Sequence, residues 1–335
     1  MLNKKSLVNR VLVGAGVFAL MIGMILVDIY LPGYRDSADV FKFISGRSIN
    51  AAIFSVIIWL SVIEMRRAIG RERIPDCFSW LLWFYAFGTG ITYSMFGFMG
   101  TIFLTLLVFV AATITALFEN RVDSLIYIAF MLVYPGMFMS ALLYLNRCAS
   151  TFPIQDGNPI LQYVEYDIWQ YFGERSGSQL LPYNAISLAL VFAVSSFTDV
   201  FAFFVGSLFG KHKLCEKISP KKTVEGAIGG LFGGLVGAFV VFALFDWAKV
   251  FGAHFGLTYE GLGLSNLSVG VVYVVIGLLG SAMTQVGDLL ASMVKRYCEI
   301  KDFSRILGEH GGIMDRCDGI MLNAVFVSFV FMYII

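Results

Sequence analysis

The chain has 335 residues, of which 58% are hydrophobic and 14% charged, with a mean hydropathy of +0.80 and a net charge of +1. Soluble domains run at about 45–50% apolar and about 25% charged. An ordinary soluble globule is therefore excluded, and an all-α polytopic integral membrane protein is expected. The net charge points to no particular partner, and no nucleic acid is expected among them.

A helix crosses the bilayer core in about 20 apolar residues. Runs of that kind lie near 11–31, 48–65, 77–94, 98–117, 125–145, 184–210, 224–246, 269–294 and 319–335, which predicts about nine transmembrane helices. Lys4, Lys5 and Arg10 before the first run superficially suit a signal peptide, but the run is too long for one and no small-residue cleavage pattern follows. The third and fourth runs are the hardest to separate, because 77–117 is almost unbroken and contains Gly88, Gly90, Gly97 and Gly100. With the N-terminus in the cytoplasm, 18 of the 24 Lys and Arg residues fall on the cytoplasmic side, in line with the positive-inside rule. The segment 146–183 is then the longest external loop, with a spacing role or a place as an amphipathic lid. Cys77, Cys148, Cys215, Cys298 and Cys317 are scattered and form no CxxC pair, so they predict reduced thiols rather than disulfides or zinc. Residues 1–183 carry almost no ionisable groups inside the runs, whereas 184–335 carry several. The first part is read as structural and the second as functional.

Eleven residues separate Asp199 from Lys211, roughly 16 Å along a helix. A carboxylate at that depth is costly and marks a site by default; bonding to Ser195, Ser196 or Thr198 for packing alone is the other reading. Gln285, Asp288, Ser292, Lys295 and Arg296 form a stripe at helical spacing, from inside the bilayer to its edge. In "ISPKKTVEG", 218–226, Lys221 and Lys222 precede a glycine-rich helix that Ser219 or Thr223 caps, with Glu225 in its first turn. Such a start favours anions, while Gly226, Gly229, Gly230, Gly233, Gly234 and Gly237 predict close helix packing. In "HGGIMDRCD", 310–318, Gly311 and Gly312 permit a tight turn against a ligand, and Asp315 and Asp318 stand one helical turn apart. Magnesium takes one or two carboxylates and completes its shell with water and phosphate oxygens. Asp288 and Asp315, from different helices, are a candidate shared site; a web of interfacial ion pairs is the alternative. These features indicate phosphorylated ligands handled with a metal at the cytoplasmic face, which an anion transporter also fits.

The segment "SMVKRYCEIKDFSRILGEHGGIMDRCD", 292–318, resembles the signature of the phosphatidate cytidylyltransferases, the CDP-diacylglycerol synthases. Ser292, Lys295, Arg296, Lys301, Asp302, His310, Gly311, Gly312, Asp315, Arg316 and Asp318 all match at the family spacing. "SPKKTVEG" and Asp199 with the "AFFVG" that follows it are similar as well. Cys317 stands where an aliphatic residue or threonine is usual, and Phe203 where tyrosine is common. The resemblance is strong over 195–318 and weak over 1–183. It implies transfer of a cytidylyl group from CTP to phosphatidate, giving CDP-diacylglycerol and pyrophosphate, with Mg2+ (or Mn2+) as cofactor. It further implies a homodimer, and an active site facing the cytoplasm suits a bacterial inner membrane. Carried onto this chain, Asp288 and Asp315 hold the metal and Asp318 supports them. Lys221, Lys222, Lys295, Arg296, Lys301 and Arg316 bind phosphates, beside Ser292, Gly311 and Gly312. His310 donates a hydrogen bond or proton to a phosphate oxygen, and Asp199 supports the lipid cavity. An isoprenoid ether acceptor and the CTP-dependent polyprenol kinases are neighbouring readings. A transporter calls for broken helices at matching positions of two halves, and no such symmetry is present.

Overall fold

A computed structural model describes residues 4–30, 46–147, 150–153, 178–181, 183–252, 256–257, 265–308 and 311–333. Nine α-helical elements follow one another among these residues. They are α1 Lys4–Tyr30, α2 Gly46–Ile69, α3 Ser79–Phe118, α4 Ser124–Met131 and α5 Phe138–Arg147, then α6 Asn184–Phe209, α7 Val224–Phe242, α8 Asn266–Tyr297 and α9 Met314–Tyr333. A π-helical segment, Leu132–Met137, joins α4 to α5. Two short antiparallel ribbons interrupt the helices: β1 Ser150–Pro153 with β2 Ser178–Leu181, and β3 Lys213–Cys215 with β4 Ser219–Thr223. Six described segments are long and apolar enough to cross a membrane: Ile49–Ile69, Phe96–Phe118, Ser124–Asn146, Asn184–Phe209, Val224–Trp247 and Asn266–Tyr297. The protein is thus an all-α membrane protein, and six of its described segments meet that length and composition. The apolar part of α1 is shorter, and α9 opens on Asp315, Arg316 and Asp318. The middle of the expected external lid, 154–177, lies outside the described residues.

The almost unbroken 77–117 run resolves into a hairpin. Gly97, at φ +63° and ψ −152°, interrupts α3. The Thr105 hydroxyl donates to the Tyr85 hydroxyl over 3.3 Å, although twenty residues of straight helix span about 30 Å. The chain therefore turns back at Gly97, where glycine adopts a left-handed conformation without a Cβ clash.

In the second half, α7 packs between α6 and α8 through its glycine face, and all six glycines are buried. A Cβ on Gly233 would press on the Phe197 carbonyl and the Phe201 side chain, and one on Gly234 would meet the Gly277 carbonyl and Ser281. Close approach of backbones lets short side chains bridge the helices. Ser195 and Thr284 share a hydrogen bond of 3.1 Å, Thr198 donates to Ser281 at 2.9 Å, and Ser281 donates to the Gly230 carbonyl at 2.9 Å. The Asn323 amide donates to Ser195 and to the Val191 carbonyl. This network ties α6, α7, α8 and α9 together where no water satisfies a polar group.

The connections at one end of the bundle converge. Lys222 pairs with Asp288, and Arg296 donates to the Ile218 carbonyl over 3.2 Å. The Arg73 guanidinium sits 4.6 Å from the centre of the Tyr297 ring, whose hydroxyl bonds Tyr127. These are the segments that the charge bias assigns to a single side of the membrane.

Candidate active site

Three elements start the site. Thr223, at the end of β4, caps α7 by accepting from the Gly226 N–H at 3.1 Å; Ser219 lies earlier, inside the strand. The Glu225 carboxylate turns back to accept from the Lys211 and His212 N–H groups and pairs with the His212 ring at 2.6 Å. That fixes the β3–β4 ribbon, and the ribbon aims Lys222 at Asp288 on α8, with Nζ to Oδ2 at 2.6 Å. Both side chains are partly open, at 25% and 35% exposure. Lys221 is exposed, Ser292 is half-buried on α8, and Gln285 donates to the Ala227 carbonyl at 3.2 Å.

The signature loop between α8 and α9 is organised around Asp315. Its Oδ1 pairs with Lys295 at 2.8 Å, and its Oδ2 accepts from the Phe303 and Gly312 N–H groups at 2.8 and 2.9 Å. The carboxylate is only 4% exposed. Gly311, at φ +83°, lies so close to Asp315 that a Cβ there would approach Oδ2 to 2.7 Å. Lys295 also lies 5.5 Å from the centre of the Phe303 ring, a cation–π contact. Lys301, Arg296 and Arg316 stay exposed around this core. His310 lies outside the described residues.

Asp318 on α9, Asp288 on α8 and Asp199 on α6 lie within electrostatic reach of one another, with Lys222, Lys295 and Arg316 as the compensating cations. Asp318 Oδ1 accepts from the Gly319 N–H at 2.9 Å. Ser195 and Thr198 bond to Thr284 and Ser281, so they do not neutralise Asp199. Asp199, Asp288 and Asp318 thus influence one another electrostatically, while Asp315 is engaged by Lys295 and two backbone N–H groups. A carboxylate offers about four lone-pair sites, and Asp315 has committed three. Each of the two carboxylates expected to share a cation carries a lysine partner here, Asp288 with Lys222 and Asp315 with Lys295. Among the described residues, no group of three or more His, Cys, Asp or Glu is close enough to hold a metal. Magnesium asks for only one or two carboxylates, and Asp288 with Asp318 meets that requirement in donor chemistry.

Two contributors from the first half escaped sequence reasoning. Glu64, fully buried on α2, accepts from Ser304 Oγ at 2.6 Å and from the Ile313 and Met314 N–H groups at 3.0 and 2.8 Å. It thereby caps α9 from about 250 residues away in sequence, using the partial positive charge of a helix start. A Cβ on Gly312 would collide with this carboxylate, so Glu64 is the reason glycine stands there. The second is Tyr134, buried in the π-helical segment. Its hydroxyl has no hydrogen-bond partner among the described residues and lies within electrostatic reach of Asp318 and Asp288. Glu64 carries the same signal that marked Asp199, a lone carboxylate in an apolar run; Tyr134 carries none.

Residues 38–334 match the cytidylyltransferase family model, and the chain belongs to that family. It is similar to phosphatidate cytidylyltransferases of Aquifex aeolicus, 32% identical over 48% of this chain and 59% of the relative, and of Haemophilus influenzae, 33% identical over 46% and 49%. The enzyme of Staphylococcus haemolyticus is 39% identical over 39% of this chain and 43% of its own length. The chain spans about half the length of the curated relatives it matches.

Proposed function

We propose that this protein transfers a cytidylyl group from CTP to phosphatidate, forming CDP-diacylglycerol and pyrophosphate for phospholipid synthesis. The observation that carries the reading is the loop locked by Lys295–Asp315 beside the carboxylates Asp199, Asp288 and Asp318. Family membership supports it, as do the names of the relatives.

The nucleophile in such a transfer is the phosphomonoester of the lipid, which is ionised near neutral pH and needs no strong protein base. Catalysis is then positioning and charge stabilisation of an in-line displacement at the α-phosphorus of CTP. Lys222 is the movable cation: its pair with Asp288 is partly open, so an arriving phosphate can take Lys222 over. Arg296, Lys301 and Arg316 gather the remaining phosphate charge, with Lys221 at the rim, and Ser292, Gly311 and Gly312 line the approach. His310 donates to a phosphate oxygen in this assignment. Lys295 stays with Asp315 and holds the loop. In this reading Asp288 and Asp318 would hold Mg2+ or Mn2+, with Asp199 in support. The bound cation supplies charge neutralisation between the two anionic substrates. With so few carboxylates, the site would hold such a cation only together with substrate phosphates and water.

The reading places residues 1–183 as scaffold and 184–335 as the catalytic region. It includes nine crossings, a cytoplasmic N-terminus and a site facing the cytoplasm at the inner membrane. A homodimer carries over from the family resemblance alone. Purified protein in detergent, given labelled CTP, phosphatidate and magnesium, is expected to release pyrophosphate and form labelled CDP-lipid. Absence of release with phosphatidate and with an isoprenoid ether analogue sinks the reading.

A further inference from the structure

A second basic site lies on the α2–α3 side of the molecule. A cavity of about 360 Å³ opens between the end of α2 and the start of α3, lined by Trp59, Ile63, Arg66, Arg67, Arg71 and Trp83. Trp59, Ile63, Arg66 and Arg67 recur at helical spacing, so they share one face of α2. Arg66 is two residues beyond Glu64, so the two side chains leave the helix in roughly opposite directions. The cavity is therefore distinct from the signature loop.

Its chemistry is graded. The indoles and Ile63 form the apolar part, and the three guanidinium groups form the polar part where α2 ends. Arg66 reaches Asp76 and the Ile74 carbonyl through Nη2, and Arg71 reaches Asp76 at 3.6 Å. The Arg66 Nε is buried and has no acceptor, and Arg67 has no ion pair among the described residues. Ordinary anchoring of a helix end by arginines and tryptophans requires neither a concave pocket nor a buried N–H without an acceptor. Guanidinium groups match phosphate in a planar, forked geometry, and basic pockets between membrane helices hold anionic head groups.

We infer that this pocket binds a net-anionic phosphate group, carried by a phospholipid whose chains lie along Trp59 and Trp83 or supplied as free phosphate. The reporters are in place. With Trp80, Trp169 and Trp247 replaced by Phe, fluorescence comes from Trp59 and Trp83 alone. Bilayers containing brominated phosphatidylglycerol are expected to quench it at lower mole fraction than bilayers of brominated phosphatidylcholine. The variant Arg67→Gln/Arg71→Gln, which keeps Arg66–Asp76, is expected to lose that preference, by about fivefold for each guanidinium removed at a membrane surface. Inorganic phosphate that reverses the preference assigns the site to the free anion; indifference to it assigns the site to the lipid head group. Arg67→Lys guards against loss of fold and keeps most of the preference. Equal quenching by both lipids, with no protection by phosphate, overturns the inference, as does an undiminished preference in the double Gln variant.

Discussion

Glu64 tolerates little change. Two oxygens serve three donors in a dry site, and two of those donors are backbone N–H groups at the start of α9. Glu64→Gln keeps the volume but offers one acceptor oxygen, so at least one buried N–H loses its partner. The expected cost is about 1–3 kcal/mol, with faster hydrogen exchange at Ile313 and Met314 and a fall in turnover. Unchanged exchange at these amides would remove Glu64 from the positioning role. Asp288 and Asp315 separate by the same logic. Asp315→Asn removes the carboxylate that Lys295 contacts directly in a buried setting, a loss of about 3–5 kcal/mol, and should lower both Tm and activity. Asp288 is more open, so Asp288→Asn should lower CDP-lipid formation much more than Tm. Equal thermal losses in the two variants would contradict this division.

At the scale of elements, α7 is where composition and packing agree most directly. Six small positions in 226–237 predicted close approach, and each is buried against α6 or α8. Gly234→Val would drive a branched side chain into Ser281 and the Gly277 carbonyl, breaking the contacts that keep α8, and hence Asp288, in register. Protein yield and CTP-dependent activity should both drop, whereas Gly270→Ala, which meets nothing within 4 Å, should leave both intact. Similar behaviour of the two variants would show that α7 does not set the position of α8. The same comparison explains what the sequence did and did not reveal. Apolar runs, the Thr223 cap and the α8 polar stripe depend on near neighbours, so their spacing was legible. The break in α3 falls between the runs 77–94 and 98–117, where the sequence places it, and the positive φ at Gly97 that makes the reversal is what hydropathy does not show. Glu64 stands out locally as a carboxylate in an apolar run and Tyr134 does not, but the partners of both lie about 150–250 positions away, and no local pattern encodes those.

For the whole molecule, the contacts sort the connections into ends. Glu64 with Ser304, Arg73 with Tyr297, Lys222 with Asp288 and Arg296 with Ile218 bring three connections, α2–α3, α6–α7 and α8–α9, to the end that holds the signature loop. Lys249 follows the far end of α7, a helix of 19 residues that extends roughly 28 Å from Thr223. The two ends should then lie on opposite sides of the bilayer. In a chain with its five cysteines replaced by Ser, Lys249→Cys and Asn120→Cys place single thiols at exposed turns, Asn120 in the connection just before the helix α4 that carries Tyr127. A thiol reagent that cannot cross membranes, applied to oriented vesicles, should label one variant from outside and the other only after permeabilisation. With a cytoplasmic N-terminus, Lys249→Cys is the one labelled from the outer face, and Asn120→Cys shares the side of the signature loop. Labelling of both from the same face would overturn the arrangement, because the signature loop and a far helix end cannot share a surface when about 28 Å of apolar helix separates them.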